Sequence, residues 1–322
     1  MSDEPFHDGE TYVQARAQVR EMAALIGPRM IRDFMPEQHR QFFERLRYAV
    51  VGTVDDHGAP WASLLTGAPG FLRTPDARTV ELDLAPPEGD GVRARALPGR
   101  RIALLGIELS TRRRNRMNGT VVSETDGTLT VHVDQSFGNC PKYIQARDVW
   151  AREDLPQSSR RDEGPRLSAE AQQLVAGADT FFIASSTPAQ GSSDPREGVD
   201  VSHRGGAPGF VDVRDEGAEL WVPDFSGNMA FNTLGNIARN PQVGLCFVDF
   251  AAGSLLQLAG RAEIVWDAPL VAQFPGAERL LRVRVVGGQL LRGVVPLRWS
   301  APEESPQLAA TGPWLRTEGE HR

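Results

Sequence analysis

The sequence predicts a mainly β protein with helices (α+β), written as two similar barrel units along one chain. The first observation is that "GAPGF" occurs twice, at Gly67–Phe71 and Gly206–Phe210, 139 positions apart. The second is that the same features surround each copy in the same order. "YAVVGTVDDHGAPWASLL" and "TFFIASSTPAQGSSDPREGVDVSH" precede the copies, and "TVELDL" and "AELWVP" follow them. Further on, "RIALLGIELSTRRRNRMNGTVV" matches "QVGLCFVDFAAGSLLQLAGRAEIV", with Gly119 and Gly260 141 positions apart. Matching order at nearly constant spacing is the mark of an internal repeat. The third observation is the pattern itself: short β-rich runs divided by Gly, Pro and Asp turns suit an antiparallel barrel, not a βαβ sheet.

Taken in order, residues 1–47 form a helical arm. "YVQARAQVREMAALI" and "PEQHRQFFERLRYAV" both place apolar residues at three- and four-residue steps. Residues 48–152 make the first barrel, with five or six strands expected. Residues 153–168, "EDLPQSSRRDEGPRLS", are polar and turn-rich and read as a linker. Residues 169–300 repeat the barrel, and 301–322 lack periodicity and read as a tail.

Composition narrows the class. At 322 residues the chain has room for two domains. A net charge of −7 argues against nucleic acid as a partner. No run approaches the roughly 18 apolar residues of a membrane helix, and the acidic start "MSDEPFHDGE" is no secretory signal. Cys140 and Cys246 are the only cysteines and show no metal-ligand spacing, so a reduced cytoplasmic setting is expected. Lys142 is the only lysine, so an anion site is expected to use arginine, whose planar fork matches phosphate.

The most specific local pattern is "VPDFSGNMAFNTLGNIARNPQVGLCF". A strand ends at Pro223, a turn follows through Ser226, Gly227 and Asn228, and a helix runs to about Arg239, stopped by Asn240-Pro241. Asn232, Thr233 and Asn236 fall near one face. A helix start offers unpaired N–H groups and partial positive charge, a seat for phosphate. The same residues also read as an ordinary N-cap at Ser226 or Asn228.

With the flanking "HRGGAPGFVDV" and "LQLAGRAEIV", this stretch resembles the pyridoxamine 5′-phosphate oxidase family of FMN-binding split barrels. "FHDGE" (Phe6–Glu10) with Gln14, "TRRRNRMNG" (Thr111–Gly119) and "FGNCPKYIQ" (Phe137–Gln145) resemble its two-barrel members. The resemblance implies two tandem FMN-binding split barrels with FMN in a groove between barrels. That groove forms within the chain or between two copies, as a homodimer. It implies that the strand Pro208–Val213, with Gly209, Phe210 and Val211, borders the flavin, and that Asp224, Asn228, Asn232 and Thr233 take its phosphate. The chain departs from the oxidases at Asn232-Thr233, where those enzymes carry an Arg-Lys pair. Arg204 is the first candidate for the missing cation. Arg112, Arg114 and Arg116 are the second set, and that arginine run reads equally as a solvated hairpin face.

The implied function is an FMN-dependent oxidoreductase passing hydride or electrons to or from a small organic substrate. Pyridoxamine phosphate oxidation itself is not expected, because "VVPLRWSAPEESPQL" lacks those enzymes' substrate motif. The rivals are a non-catalytic flavin-binding or storage protein and a haem-binding or haem-degrading one, the latter needing an axial ligand such as His203, His132 or His7. His203 either contacts substrate or caps a loop, and His7 either lines the pocket or fixes the arm. Cys140 reads as packing. The first copy has "PPEGDGVRARALPGRR" where the second has its helix start, so one site per chain is expected.

Overall fold

The computed structural model describes residues 4–188 and 192–315. Three helices open the chain: α1 (Asp8–Arg16), α2 (Arg20–Met30) and α3 (Glu37–Arg45). Tyr12–Ile26 reads as one helical run in the sequence, but the structure breaks it where Gln18 takes a left-handed φ of 58°. The break lets the two helices bury different faces. Val13 of α1 joins the core of the second unit, whereas Ala23 of α2 packs with Phe6 and Ile31.

The first unit contains β1 (Tyr48–Val54), β2 (Pro60–Thr66), β3 (Leu72–Asp76), β4 (Thr79–Asp83), the short α4 (Val92–Arg95), β5 (Arg101–Glu108), β6 (Arg113–Thr125) and β7 (Thr128–Gly138). β8 (Val149–Ala151) and β9 (Ser159–Glu163) follow. The second unit contains α5 (Ala169–Gly177), β10 (Thr180–Ser186), β11 (Val199–Gly205), β12 (Asp212–Arg214), β13 (Glu219–Asp224), α6 (Asn232–Arg239), β14 (Gln242–Asp249), β15 (Ser254–Val265), α7 (Ala268–Val271), β16 (Arg279–Arg292) and β17 (Leu297–Trp299).

The sheet orders are β2-β1-β5-β6-β7-β4-β3 and β11-β10-β14-β15-β16-β13-β12, the same path strand for strand. Each path has seven strands rather than the five or six expected, and each ends openly, as a split barrel does. Gly119 and Gly260, matched in the sequence, both sit at a β-bulge, between β6 and β7 and between β15 and β16.

The two "GAPGF" copies make the same turn, from β2 to β3 and from β11 to β12. Gly70 and Gly209 hold φ of 95° and 88°, where a Cβ is strained. A Cβ on Gly67 or Gly206 would lie 2.4 Å from Phe71 or Phe210, so each Phe folds back over a glycine into its own core. Geometry, not chance, repeats the five residues.

β1 and β10 are buried along their whole length because each looks at two cores. Ala49 and Val51 face the core of the first unit, and Phe181 and Ile183 that of the second. The alternate residues Val50, Phe182 and Ala184 share a third core that joins the units. Residues 153–168, expected as a linker, carry β9, which adds to β16. The expected tail is likewise held as far as residue 315: Pro306–Ala310 forms a 3-10 turn, and the Trp314 indole donates to the Phe210 carbonyl at 2.9 Å. Residues 316–322 lie outside the described residues. No described helix is long and apolar enough to cross a membrane.

Candidate functional site

Where the units meet, a groove of about 490 Å³ opens. The first unit supplies Arg114 and Arg116 from β6 and the segment 139–143. The second supplies β11, the end of β13, the loop to α6 and the start of β16. Its lining includes five cations, Arg114, Arg116, Lys142, Arg204 and Arg279, against the carboxylates Asp224 and Glu278. In a chain of net charge −7 this concentration of positive charge favours an anionic ligand.

One end of the groove is the start of α6. The helix begins at Asn232, six residues later than Ser226, and neither Ser226 nor Asn228 caps it. Its N-cap is Phe231, in the left-handed region at φ 62° and with no side-chain cap bond, just after Met229 at φ 61°. Two such non-glycine residues in one loop store strain of order 1 kcal/mol each or more, often found at ligand sites. Asn228 holds this loop by accepting from the Ala230 N–H at 3.2 Å.

Arg279 lies beside that helix start. It is 2% exposed, between the rings of Phe231 and Trp266 at 4.9 and 5.2 Å. It pairs with Glu278, and its Nε lies 3.5 Å from Asp224 Oδ2 without a hydrogen bond. Arg204 pairs with Asp224 as well. Arg279 Nε and Nη1, Arg204 Nε and Arg116 Nε remain buried N–H groups without a protein acceptor. Buried donors without an acceptor cost free energy.

Asn232 and Thr233 line the groove, but their side chains turn inward rather than out toward a phosphate. Asn232 accepts from Arg116 at 3.2 Å and donates to Glu10, and Thr233 donates to Ser202 at 2.9 Å. They belong to a buried polar network tying the arm to both units. In it Arg116 donates to Asp200 at 3.2 Å, Asn236 to Asp200 at 2.9 Å, and Asn118 to Asp200 at 2.6 Å. Burial, with Asp200 nearby, pushes the Glu10 carboxyl well above its usual range. The start of α6 thus lines the groove without a side-chain cap, while the side chains named from the sequence are engaged within the protein.

Of the other residues named from the sequence, Arg204, Asp224, Asn228, Phe210 and Arg114 also line the groove. Arg112 does not: at φ 54° it turns away to donate to the Ile144 carbonyl at 3.1 Å and to Glu303 at 2.8 Å. Gly209 and Val211 lie outside the lining too, Gly209 in the turn and Val211 in the core. His7 fixes the arm. Its Nδ1 accepts from the Gly9 N–H at 3.1 Å, and its Nε2 lies 3.0 Å from Asn236 Oδ1. His203 lines the groove with Nδ1 3.1 Å from Arg114 Nη1. Burial and the neighbouring arginines Arg114 and Arg204 drive its pKa well down, so it is neutral. Cys140 lines the groove and its carbonyl accepts from Arg114 Nε at 2.9 Å. Among the described residues no group of His, Cys, Asp and Glu is placed to hold a metal ion.

Sequence reasoning missed Arg279, Phe231 and Trp266. Arg279 opens the apolar run of β16, and nothing local says that this strand end lies beside α6.

The corresponding position in the first unit is filled. Ser63, the counterpart of Ser202, donates to Asp90 at 3.0 Å, and α4 is only four residues long. Asp90 also accepts from Arg95 at 3.2 Å and from Gln257 at 2.7 Å, and Gln289 donates to Gln257 at 2.7 Å. The second unit's own glutamines thus fill that position.

Comparison with known proteins bears on the second unit. Residues 167–292 match the profile of the family described as pyridoxamine 5′-phosphate oxidase. No curated protein matches the sequence. Among solved structures, a putative pyridoxamine 5′-phosphate oxidase from Lactobacillus delbrueckii is 13% identical over 40% of this chain and 98% of its own, with a TM-score of 0.30. An FAD-binding protein from Mesorhizobium loti is 15% identical over 41% of this chain and 97% of its own, at 0.27. HutZ, described as a haem storage protein of Vibrio cholerae, is 15% identical over 40% and 97%, at 0.27. Through its second unit, the one that keeps the open groove, the chain is similar to the pyridoxamine 5′-phosphate oxidase family.

Proposed function

We propose that the groove binds FMN and that the protein is an FMN-dependent oxidoreductase acting on a small organic substrate. The observation that carries this reading is the pairing of an uncapped helix start with the cations Arg279 and Arg204 in the same lining. A phosphate there would accept from the helix start and be balanced by the charge of those cations. Arg279 supplies the cation absent at Asn232-Thr233, Phe231 and Trp266 hold its guanidinium in place, and Arg116 reaches in from the first unit. When bound, FMN supplies hydride and electron transfer, and the protein contributes positioning and electrostatics. The groove is lined from both units of one chain, so the reading needs no second copy. We read the shared strand order as an internal duplication in which one of two equivalent grooves has closed.

A haem reading draws no support from the histidines. Both His7 nitrogens are engaged within the protein, His132 lies outside the groove, and His203 gives Nδ1 to Arg114 while its Nε2 is buried. The test is the visible absorption spectrum of the purified chain before and after adding FMN. Flavin bands that stay with the protein through gel filtration support the reading. A Soret band, or no uptake of FMN, overturns it.

A further inference from the structure

Every groove arginine but one has a carboxylate partner. Arg116 has Asp200, Arg204 has Asp224, and Arg279 has Glu278 with Asp224 beyond. Arg114 has none among the described residues: Nε donates to the Cys140 carbonyl at 2.9 Å, and Nη1 meets His203 Nδ1 at 3.1 Å and the His203 carbonyl at 3.5 Å. One partner is a backbone carbonyl and the other a neutral imidazole. Nη2 has no protein acceptor and is absent from the fully buried orphan groups, so it is left to the groove.

This tethering fixes the guanidinium without discharging it. His203 can accept from Arg114 only if its proton sits on Nε2, which makes His203 a positioning residue that adds no charge of its own. The chain at Tyr143, at φ 61°, crosses so close to β11 that a Cβ on Gly205 would lie 2.0 Å from the Tyr143 carbonyl. That approach holds the Cys140 carbonyl against Arg114. In the same lining, Tyr143 and Phe225 lie ring to ring with centroids 4.7 Å apart. A charge held at depth without a counter-ion is unfavourable by itself and favourable once an anion arrives. Burial, with Arg116 and Arg204 nearby, holds the Arg114 pKa down at about 9, consistent with a cation still lacking its partner.

We infer that Arg114 is a specificity-determining residue and that the substrate is a small organic acid, its carboxylate taken by Arg114 and its flat part set against Tyr143 and Phe225. The inference rests on the reading of the groove as the flavin site, with the phosphate at Arg279 and α6.

The probe is benzoate, compared with uncharged benzyl alcohol of similar size, titrated into the FMN-loaded full chain and followed by perturbation of the flavin absorption. The expected result is benzoate binding about tenfold or more tighter than benzyl alcohol, lost in Arg114→Gln and partly kept in Arg114→Lys. Equal binding of the two probes, no benzoate binding, or an Arg114→Gln variant that binds benzoate like the wild type overturns the inference. So does a variant that loses FMN affinity while keeping benzoate affinity, because Arg114 would then serve the cofactor. If Arg114→Gln does not fold, the contrast between the two probes on the wild type still decides. If the chain takes up no FMN, the cofactor reading fails separately, and calorimetric titration of the flavin-free chain with benzoate still tests Arg114.

Discussion

Replacing Gly235 by alanine is expected to detach the N-terminal arm. Gly235 sits in α6 where α1 crosses it, and a Cβ there would lie 2.5 to 2.6 Å from Glu10, two of the three contacts being backbone atoms. Gly9 makes the reciprocal approach, its own Cβ position 2.3 Å from the Gly235 carbonyl. Backbone cannot swing aside as a flexible side chain would, so α1 must move away. Propensity acts the other way, because alanine in a helix interior gains about 1 kcal/mol over glycine. Undocking α1 loses the Glu10–Asn232, His7–Asn236 and Gln14–Ala230 hydrogen bonds, each worth about 1 kcal/mol net. It also exposes Val13, fully buried against the second core, at a further cost of about 1.5 to 3 kcal/mol. The expected net loss is about 3 to 5 kcal/mol, greater than the propensity gain. The assay is urea unfolding of Gly235→Ala beside the wild type, with limited proteolysis to locate the first cut. The variant should lose stability by that amount and be cut early in the arm. A variant as stable as the wild type, or about 1 kcal/mol more so, with a protected arm, would show the crossing to be loose and refute the reasoning.

Three further outcomes follow from the same geometry. Arg279→Met should weaken FMN binding about tenfold or more, the worth of a charge-assisted bond, and unchanged affinity would remove Arg279 from the phosphate site. Flavin titration should give one FMN per chain, since Asp90, Arg95 and Gln257 fill the equivalent position. Two per chain would show that network to be displaceable. Burial, followed by Arg32 and Arg113, lowers the His39 pKa to about 4. The unfolded chain therefore binds that proton first, and the stability contributed by neutral His39 is complete above the unfolded value near 6.5 and lost as pH falls toward 4. The full loss is at most roughly 3 kcal/mol. Urea midpoints measured between neutral and mildly acidic pH should therefore fall less in His39→Gln than in the wild type, and parallel slopes would count against it.

Much of the architecture was legible because it is local. A turn that needs one glycine at positive φ and another under a phenylalanine writes the same five letters wherever it occurs, so "GAPGF" exposed the repeat without any tertiary information. Matched glycines 141 positions apart marked two bulges for the same reason. The chemistry of the site was less legible. Asn232 and Thr233 were named by position on the helix, but which way a side chain turns depends on what packs against it. Here Glu10, Arg116 and Ser202, distant in sequence, draw both inward. Arg112 and Arg114 are two residues apart on neighbouring stretches of one chain. One ties down the C-terminal segment and the other faces the groove, because a left-handed residue at 112 reverses the direction of the strand start. The sequence by itself determined the repeat, the strand-rich class and the helix that ends at Arg239, since turns and periodicities are set by neighbours along the chain. Only the tertiary structure decided which arginines meet in the groove, which of them lacks a counter-ion, and which of two equivalent grooves stays open, because charge pairing and cavity filling depend on residues brought together from far apart.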